Sequence, residues 1–265
     1  MFTVIQITDT HVFADKEVTY GADAAKVLQI AIEDIHTRYP DAAFVVHTGD
    51  VAGYDGCKED CERFGSIIRS LSIPILYVPG NHDKRSVLRS ELLGEEPTEG
   101  PMHWSFVHGG WLFVGLDSSA REDMVGSFPT GELAWLGRNL DAYEEFPALI
   151  FFHHHVLPVG VRWLDELALA DSLKFLETIA PYPQVKYVVG GHVHLEKSLY
   201  YGGRSFLSTP SLCEQYPAHV QTFAVHRISP GYRVFRFQDD GSVETFVRRL
   251  NYMPSETEYD VYTTP

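Results

Sequence analysis

Residues 2–11 read FTVIQITDTH, and the change of character within that line decides the fold. Through Thr8 the apolar side chains recur at strand spacing, and the run then ends in Asp9 and His11, two side chains able to bind a metal ion. Working outward, Ala24, Val27, Leu28, Ala31, Ile32 and Ile35 fall at helical spacing, which predicts a helix over 22–39 that Pro40 ends. A second strand is predicted over 43–47, a helix over 59–70, and a third strand over 73–78 that stops at Pro79-Gly80. Strand, helix, strand, helix, strand argues for a largely parallel sheet in an α/β domain.

Beyond residue 100 the pattern shifts. HWSFVHGGWLFVGLD, at 103–117, holds two apolar runs around Gly109-Gly110 and predicts a hairpin, so antiparallel strands join. A helix is expected over 130–142, a strand over 148–152, a helix over 171–179 and a strand over 185–189. The last third reads as consecutive strands over 198–207, 221–228, 232–238 and 243–248, with turns at Gly202-Gly203, Pro230-Gly231 and Asp240-Gly241. No repeat or long linker divides the chain, so one domain over 1–250 is expected, followed by a loosely held acidic tail over 251–265.

Composition narrows the function classes. The 265 residues are 45% hydrophobic and 22% charged, and no apolar run approaches the roughly 18 residues of a membrane span. With 36 acidic against 21 basic residues the formal charge is −15, which argues against a nucleic-acid polymer or a membrane surface as partner. A small phosphorylated substrate is compatible if metal ions supply local positive charge. The opening strand lacks a basic segment leading into a hydrophobic core, and a cytoplasmic protein is expected. Cys57, Cys61 and Cys213 form neither a disulfide framework nor a thiolate zinc site and read as inert thiols.

The ends of the predicted strands carry the chemically able groups: Asp9 and His11 in ITDTH, Asp50 in HTGDV, Asn81, His82 and Asp83 in PGNHD, His153, His154 and His155 in FFHHHV, and His192 and His194 in GGHVH. Ligands of open α/β sheets gather at the carboxyl ends of strands, so five such loops from one sheet would meet in one crevice. Imidazole, carboxylate and amide oxygen without thiolate suit manganese, iron or zinc. About seven ligands exceed one four-coordinate site and fit two ions roughly 3.5–4 Å apart that share a carboxylate. On an extended backbone, residues i and i+2 share a face, which would bring Asp9 beside His11 and His192 beside His194. His36, His103, His108, His219 and His226 lie away from these motifs and read as surface or structural, Trp104, Trp111 and Trp135 read as core, and Trp163 reads as packing with the substrate mouth as its alternative.

In these motifs, D-x-H, G-D, G-N-H-D, a histidine run after a strand and G-H-x-H, the chain resembles the calcineurin-like metallophosphoesterases from residue 3 to about 210. HHHVLPVG at 153–160, VKYVVGGHVH at 185–194, LSTPS at 207–211 and ISPGYR at 228–233 look most like the bacterial class III cyclic-nucleotide (3',5'-cyclic AMP) phosphodiesterases. The resemblance implies a four-layer αββα sandwich of two mixed sheets flanked by helices. It implies that Asp9, His11 and His194 hold one metal, that Asp50 bridges, and that Asn81, His153 and His192 hold the second. His82, with Asn81, would sit beside the phosphate. The family pattern H-x-P-P is replaced here by three histidines before Val156 and Leu157, so His154 is the alternative to His153. The implied cofactors are two divalent ions, iron or manganese, with zinc as a further option. The implied reaction is hydrolysis of cyclic AMP to the nucleoside monophosphate by a hydroxide formed between the ions, His82 stabilising or protonating the departing oxygen. Asp83 would orient His82 or a neighbouring loop. Two other readings stand beside this one: a hydrolase for another small ester, such as a glycerophosphodiester or a nucleotide, and a non-catalytic metal-binding scaffold. Substrate choice would lie in the loops at 53–60, 156–166 and 208–219.

Overall fold

The computed structural model describes residues 1–15, 18–120 and 124–260. Two mixed sheets lie face to face. One takes β1 (Phe2–Ile7), β2 (Phe44–His47), β3 (Ile75–Tyr77), β10 (Gly231–Phe237) and β11 (Val243–Arg249) in the spatial order β11-β10-β1-β2-β3. The other takes β4 (Trp104–His108), β5 (Trp111–Gly115), β6 (Ala148–Phe151), β7 (Val185–Gly190), β8 (Lys197–Tyr201) and β9 (Arg204–Ser208) in the order β4-β5-β6-β7-β9-β8. β1, β2 and β3 run parallel, as do β5, β6, β7 and β9, while β10, β11, β4 and β8 pair antiparallel at the flanks.

Side-chain alternation makes the layers. In β2, Val45 faces outward with Ile5 and Ile7 of β1, whereas Phe44 and Val46 face inward with Val4. In β5 and β6, Trp111, Phe113, Leu149 and Phe151 meet that inward set, and Leu112, Val114, Ala148 and Ile150 turn away from it. Strands covered on both faces read as nearly unbroken apolar runs. The outer face of the first sheet is covered by α1 (Ala24–Arg38) and α2 (Lys58–Ile68), and that of the second by α4 (Glu132–Ala142) and α6 (Ser172–Ile179). Asp23 caps α1 by accepting the Lys26 N–H at 2.9 Å, and the helix buries the six residues whose spacing predicts it. Gly109 and Gly110 turn the β4–β5 hairpin with φ of 55° and 80°, the left-handed pair a two-residue turn of this kind requires. The result is the four-layer αββα sandwich.

One expected strand needs correction. Residues 221–228 form no strand; Val225 makes an isolated bridge to Asp260. It could not pair with β10, the next strand along the chain, because β10 pairs with β1 on one side and β11 on the other. Short helices went unread because fewer than two turns give no period: α3 (Arg85–Leu88), continued by a π-helical turn at Arg89–Leu93, and α5 (Arg162–Asp165). Residues 251–260 make hydrogen bonds back to the rest of the chain. The Tyr252 hydroxyl accepts the Asp23 N–H, Ser255 N–H donates to Gly21 O, Val225 N–H donates to Tyr259 O, and Arg227 Nε donates to Pro254 O. The rest of the expected tail, 261–265, lies outside the described residues.

Candidate metal centre

Every strand that carries a candidate ligand ends at the same crevice, but the ligands come from two sheets and not from one. Asp9 and His11 follow β1, Asp50 follows β2 and Asn81 follows β3, while His153 follows β6 and His192 and His194 follow β7. Facing sheets with parallel strands present their carboxyl ends side by side, so the crevice rule holds across the sandwich.

The backbone does not reach the site in the extended form expected of D-x-H and H-x-H. Asp9, His11, Asp50, His192 and His194 have φ of 50°, 41°, 54°, 67° and 47°, the left-handed region. Non-glycine residues are uncommon there, and aspartate and histidine are among those that tolerate it. Each loop thus coils at the strand end, and the coil brings alternate side chains together. Glycines make the close approach possible. A Cβ on Gly80 would meet Asp50 Oδ1 at 2.1 Å, and one on Gly191 would meet Thr8 Oγ1 at 2.0 Å and Asp9 Oδ2 at 2.3 Å. The glycines of G-N-H-D and G-H-x-H therefore leave room for the carboxylates.

Two neighbouring groups of donor atoms result. Around His153 Nε2 lie Asn81 Oδ1 at 3.1 Å, His192 Nδ1 at 3.2 Å and Asp50 Oδ2 at 3.3 Å. Around His194 Nε2 lie Asp9 Oδ1 at 3.2 Å and His11 Nε2 at 3.4 Å, and His11 Nε2 is 3.7 Å from Asp50 Oδ2. Asp50 thereby touches both groups. The outer ring nitrogens fix the tautomers: His153 Nδ1 donates to Thr48 O at 2.7 Å and His194 Nδ1 to Glu214 O at 2.9 Å, turning each Nε2 inward. His154 differs, its Nδ1 being held by Ser118 Oγ at 2.8 Å, although His153, His154 and His192 can bring three ring nitrogens within 4.8 Å of one another.

These residues fit divalent ions. With its proton on Nδ1, His153 turns the Nε2 lone pair toward Asn81 Oδ1, His192 Nδ1 and Asp50 Oδ2, and His11 and His194 aim nitrogen at nitrogen; a cation satisfies both arrangements. Asp9, His11 and His194 form one compact set of three, and Asp9, Asp50 and His153 another. Electrostatics agree. Burial pushes Asp9 up, yet the imidazoles of His194 and His153 outweigh it and hold Asp9 below the usual carboxylate range. Asp50 is held well below that range against the same burial, chiefly by His153 and His82. Burial disfavours the charged form of His153 and His194, but facing carboxylates raise them to about 9 and about 8. Burial pushes His11 down to about 4, and burial with His154 drives His192 well below its usual value, which favours the neutral ring that binds metal.

Asp83 serves the loop and not His82. Its carboxylate accepts the backbone N–H groups of Asp50, Val51 and Gly80 at 2.8, 3.0 and 2.8 Å, tying the second and third loops together. His82 Nδ1 donates instead to Tyr54 O at 2.8 Å, and the His82 N–H donates to Asp50 Oδ1 at 3.0 Å. Above the donor atoms opens a cavity of about 380 Å³, within the roughly 300–1,000 Å³ of small-ligand sites. His11, Asp50, Asn81, His82, His192 and His194 line it below, and Tyr20, Tyr54, Trp163, Tyr216 and Phe223 wall it. Trp163 thus belongs to the cavity wall. Among residues singled out as bland, His36 accepts from Ser72 N–H, His103 pairs with Glu132, and Trp111 is buried between the sheets. Sequence reasoning missed Glu214 and Tyr54 individually, although both fall in loops named for substrate choice; no spacing rule marks a single buried glutamate.

Residues 2–196 match the family model for calcineurin-like phosphoesterases. The chain is 34% identical over 248 residues, 93% of this chain and 89% of the other, to the 3',5'-cyclic adenosine monophosphate phosphodiesterase CpdA of Escherichia coli (strain K12). It is 32% identical to the protein of the same name from Pseudomonas aeruginosa, over 97% of this chain and 93% of that one. Among solved structures, a dimetal phosphatase from Danio rerio superposes with a TM-score of 0.71 at 18% identity, covering 94% of this chain and 99% of that one, and so shares the fold.

Proposed function

The chain belongs to the calcineurin-like phosphoesterase family, and from that premise we propose that it is a two-metal phosphodiesterase opening 3',5'-cyclic AMP to the nucleoside monophosphate. The observation that carries this reading is the convergence of seven side chains, Asp9, His11, Asp50, Asn81, His153, His192 and His194, beneath an aromatic-walled cavity of small-ligand size. The relatives named for cyclic AMP, aligned over nearly their whole length, support the substrate.

Asp9, His11 and His194 would hold one ion and Asn81, His153 and His192 the other, with Asp50 between them. His153 is favoured over His154 because its Nε2 is the centre of the second donor group while Ser118 holds His154. When bound, two divalent ions supply Lewis acidity, lower the pKa of water toward neutrality and neutralise charge on phosphoryl oxygens. Oxygen and nitrogen donors without thiolate suit manganese, iron or zinc in this role, and the family resemblance favours the first two. The chain's own residues do the rest. His82, anchored through Nδ1 to Tyr54 O, would act as the imidazolium, giving its second proton from Nε2 to the departing ribose oxygen and remaining as the neutral ring. Tyr54, Trp163, Tyr216 and Phe223 offer ring faces to a purine, a contact worth roughly 1–3 kcal/mol per base, and limit water in the cavity. Residues 1–250 act as one domain in this reading. The three free thiols, Cys57, Cys61 and Cys213, suit a reducing compartment such as the cytoplasm. No helix among the described residues is long and apolar enough to cross a membrane.

The test is hydrolysis of cyclic AMP beside bis(p-nitrophenyl) phosphate by metal-stripped protein reconstituted with manganese or iron. Efficient conversion of cyclic AMP to the monophosphate is expected. Cleavage of the generic diester alone would keep the metal chemistry and reject the substrate; cleavage of neither would reject the enzyme.

A further inference from the structure

Glu214 is a buried carboxylate that the proposed chemistry leaves unused. It is 1% exposed, in the loop after β9, where Ser211 Oγ donates to the Glu214 carbonyl and the Gln215 side chain donates to Ser211 O. Burying a carboxylate is costly unless its surroundings answer it. Here Oε1 accepts the hydroxyls of Tyr216 at 3.2 Å and Tyr54 at 3.4 Å and lies 3.6 Å from His194 Nδ1, while Oε2 takes no hydrogen bond from an N–H or O–H group of the described residues. Both tyrosines wall the cavity.

The contacts continue to the proposed proton donor. Tyr54 follows Gly53, whose N–H reaches Val12 O at 3.0 Å, so this loop is held at its root by backbone and again at the Tyr54 hydroxyl by Glu214. The carbonyl of the same Tyr54 accepts the Nδ1–H of His82. The Tyr54 ring stands 5.0 Å from that of His82, and the Tyr216 ring stacks on His194 at 4.4 Å and 7°. One carboxylate therefore braces the residue that aims His82 and the ring that backs a metal-cage imidazole.

We propose that Glu214 is a positioning residue: by holding the Tyr54 and Tyr216 hydroxyls it fixes the carbonyl that directs His82 Nε2 toward the leaving oxygen. This rests on the phosphodiesterase reading given above. A displacement of an ångström at a reacting group costs on the order of a hundredfold in rate, so a brace two residues removed from the chemistry has a measurable effect. It also predicts which substrates feel its loss. A ribose alkoxide must take up a proton as it leaves, whereas p-nitrophenolate departs as a stable anion and needs no acid.

Glu214→Leu, Glu214→Gln and Tyr54→Phe are compared with the wild type as holoenzymes, measuring metal per chain and kcat and KM for cyclic AMP and for bis(p-nitrophenyl) phosphate. The expected result is unchanged metal content in Glu214→Leu and Tyr54→Phe, with kcat for cyclic AMP lowered at least about tenfold and the ratio of cyclic AMP to generic-diester turnover falling as it does in His82→Ala. Glu214→Gln, which keeps an acceptor for both hydroxyls, recovers most of that ratio. Equal slowing of both substrates with metal retained, or no slowing, overturns the positioning role. If Glu214→Leu loses metal or does not fold, Tyr54→Phe, which removes one oxygen, decides the matter. Wild-type holoenzyme that cleaves the generic diester and spares cyclic AMP overturns the function reading instead, a separate result.

Discussion

The carboxylate of Asp83 accepts the backbone N–H of Asp50 at 2.8 Å, so the residue that touches both donor groups is held in place by a second aspartate 33 positions along the chain. The same carboxylate takes the N–H groups of Val51 and Gly80. Asp83→Ala strands three backbone donors in a buried loop, and a loss of about 3 kcal/mol is expected. Thermal unfolding of the metal-free protein should show a melting point lower by several degrees. An unchanged melting point would remove Asp83 from its bracing role.

Asp50 itself is the test of the paired site. Asp50→Ala should carry fewer than two ions per chain and lose turnover of both diesters, because each donor group loses an oxygen at once. Metal analysis alongside a hydrolysis assay checks this, and near-wild-type rates would sink the assignment.

His82→Ala should separate binding from chemistry. With its ring outside both donor groups, metal content should persist while cyclic AMP turnover falls by roughly 10²–10⁴-fold. A loss of metal equal to that of Asp50→Ala would show that the ring belongs to the cage.

A single methyl group provides a steric test. Gly191→Ala places a Cβ within 2.3 Å of Asp9 Oδ2 and 2.0 Å of Thr8 Oγ1, neither at the end of a flexible chain. Weaker uptake of the first ion and a lower melting point are expected, measured by metal titration and thermal unfolding. Tolerance of the alanine would mean that the Thr8–Asp9 turn is not fixed where it stands.

Far from the cavity, Asp34 of α1 accepts Arg248 Nε of β11 and the Tyr232 hydroxyl, each at 2.6 Å. Burial pushes its pKa up, but hydrogen bonds from Arg248, Tyr232 and Arg38 outweigh that and bring it down to about 2 from 3.8. A depressed folded-state pKa stabilises above the unfolded value and ceases to do so as pH falls from about 4 toward 2. Asp34→Asn should lower the unfolding free energy from urea titration at pH 7 by about 1 kcal/mol at most for a pair this accessible to solvent, and the gap should narrow by pH 3. An equal gap at both values would assign the effect to shape and not to charge.

Much of this was legible in the sequence because local rules and the fold agree. The spacing in α1 and the apolar runs of β2, β5 and β6 reflect one-sided or two-sided burial directly. Asp9, His11, Asp50, Asn81, His153, His192 and His194 could be picked out because each follows a strand end, the place where parallel sheets gather side chains. Less legible was anything that depends on two distant segments at once. The left-handed coiling at Asp9 and His192 is imposed by packing between loops, and a period of two cannot reveal it. Glu214 matters through Tyr54, 160 positions away, and within 221–228 Phe223 belongs to an aromatic cluster where it meets Tyr20, Trp163 and Tyr216 and not to a strand.

The coiled strand ends also narrow what these positions can become. At Asp9, His11, Asp50, His192 and His194 the donor atom and the backbone make separate demands, and only a short list of residue types answers both. A valine or isoleucine there forfeits the lone pair and collides with its own main chain; a glycine restores the turn but leaves the cage short of a ligand. Asparagine comes nearest to an acceptable spelling. The vocabulary of the site is thus set twice over, so that a change at any of the five positions is read by the fold before it is read by the chemistry.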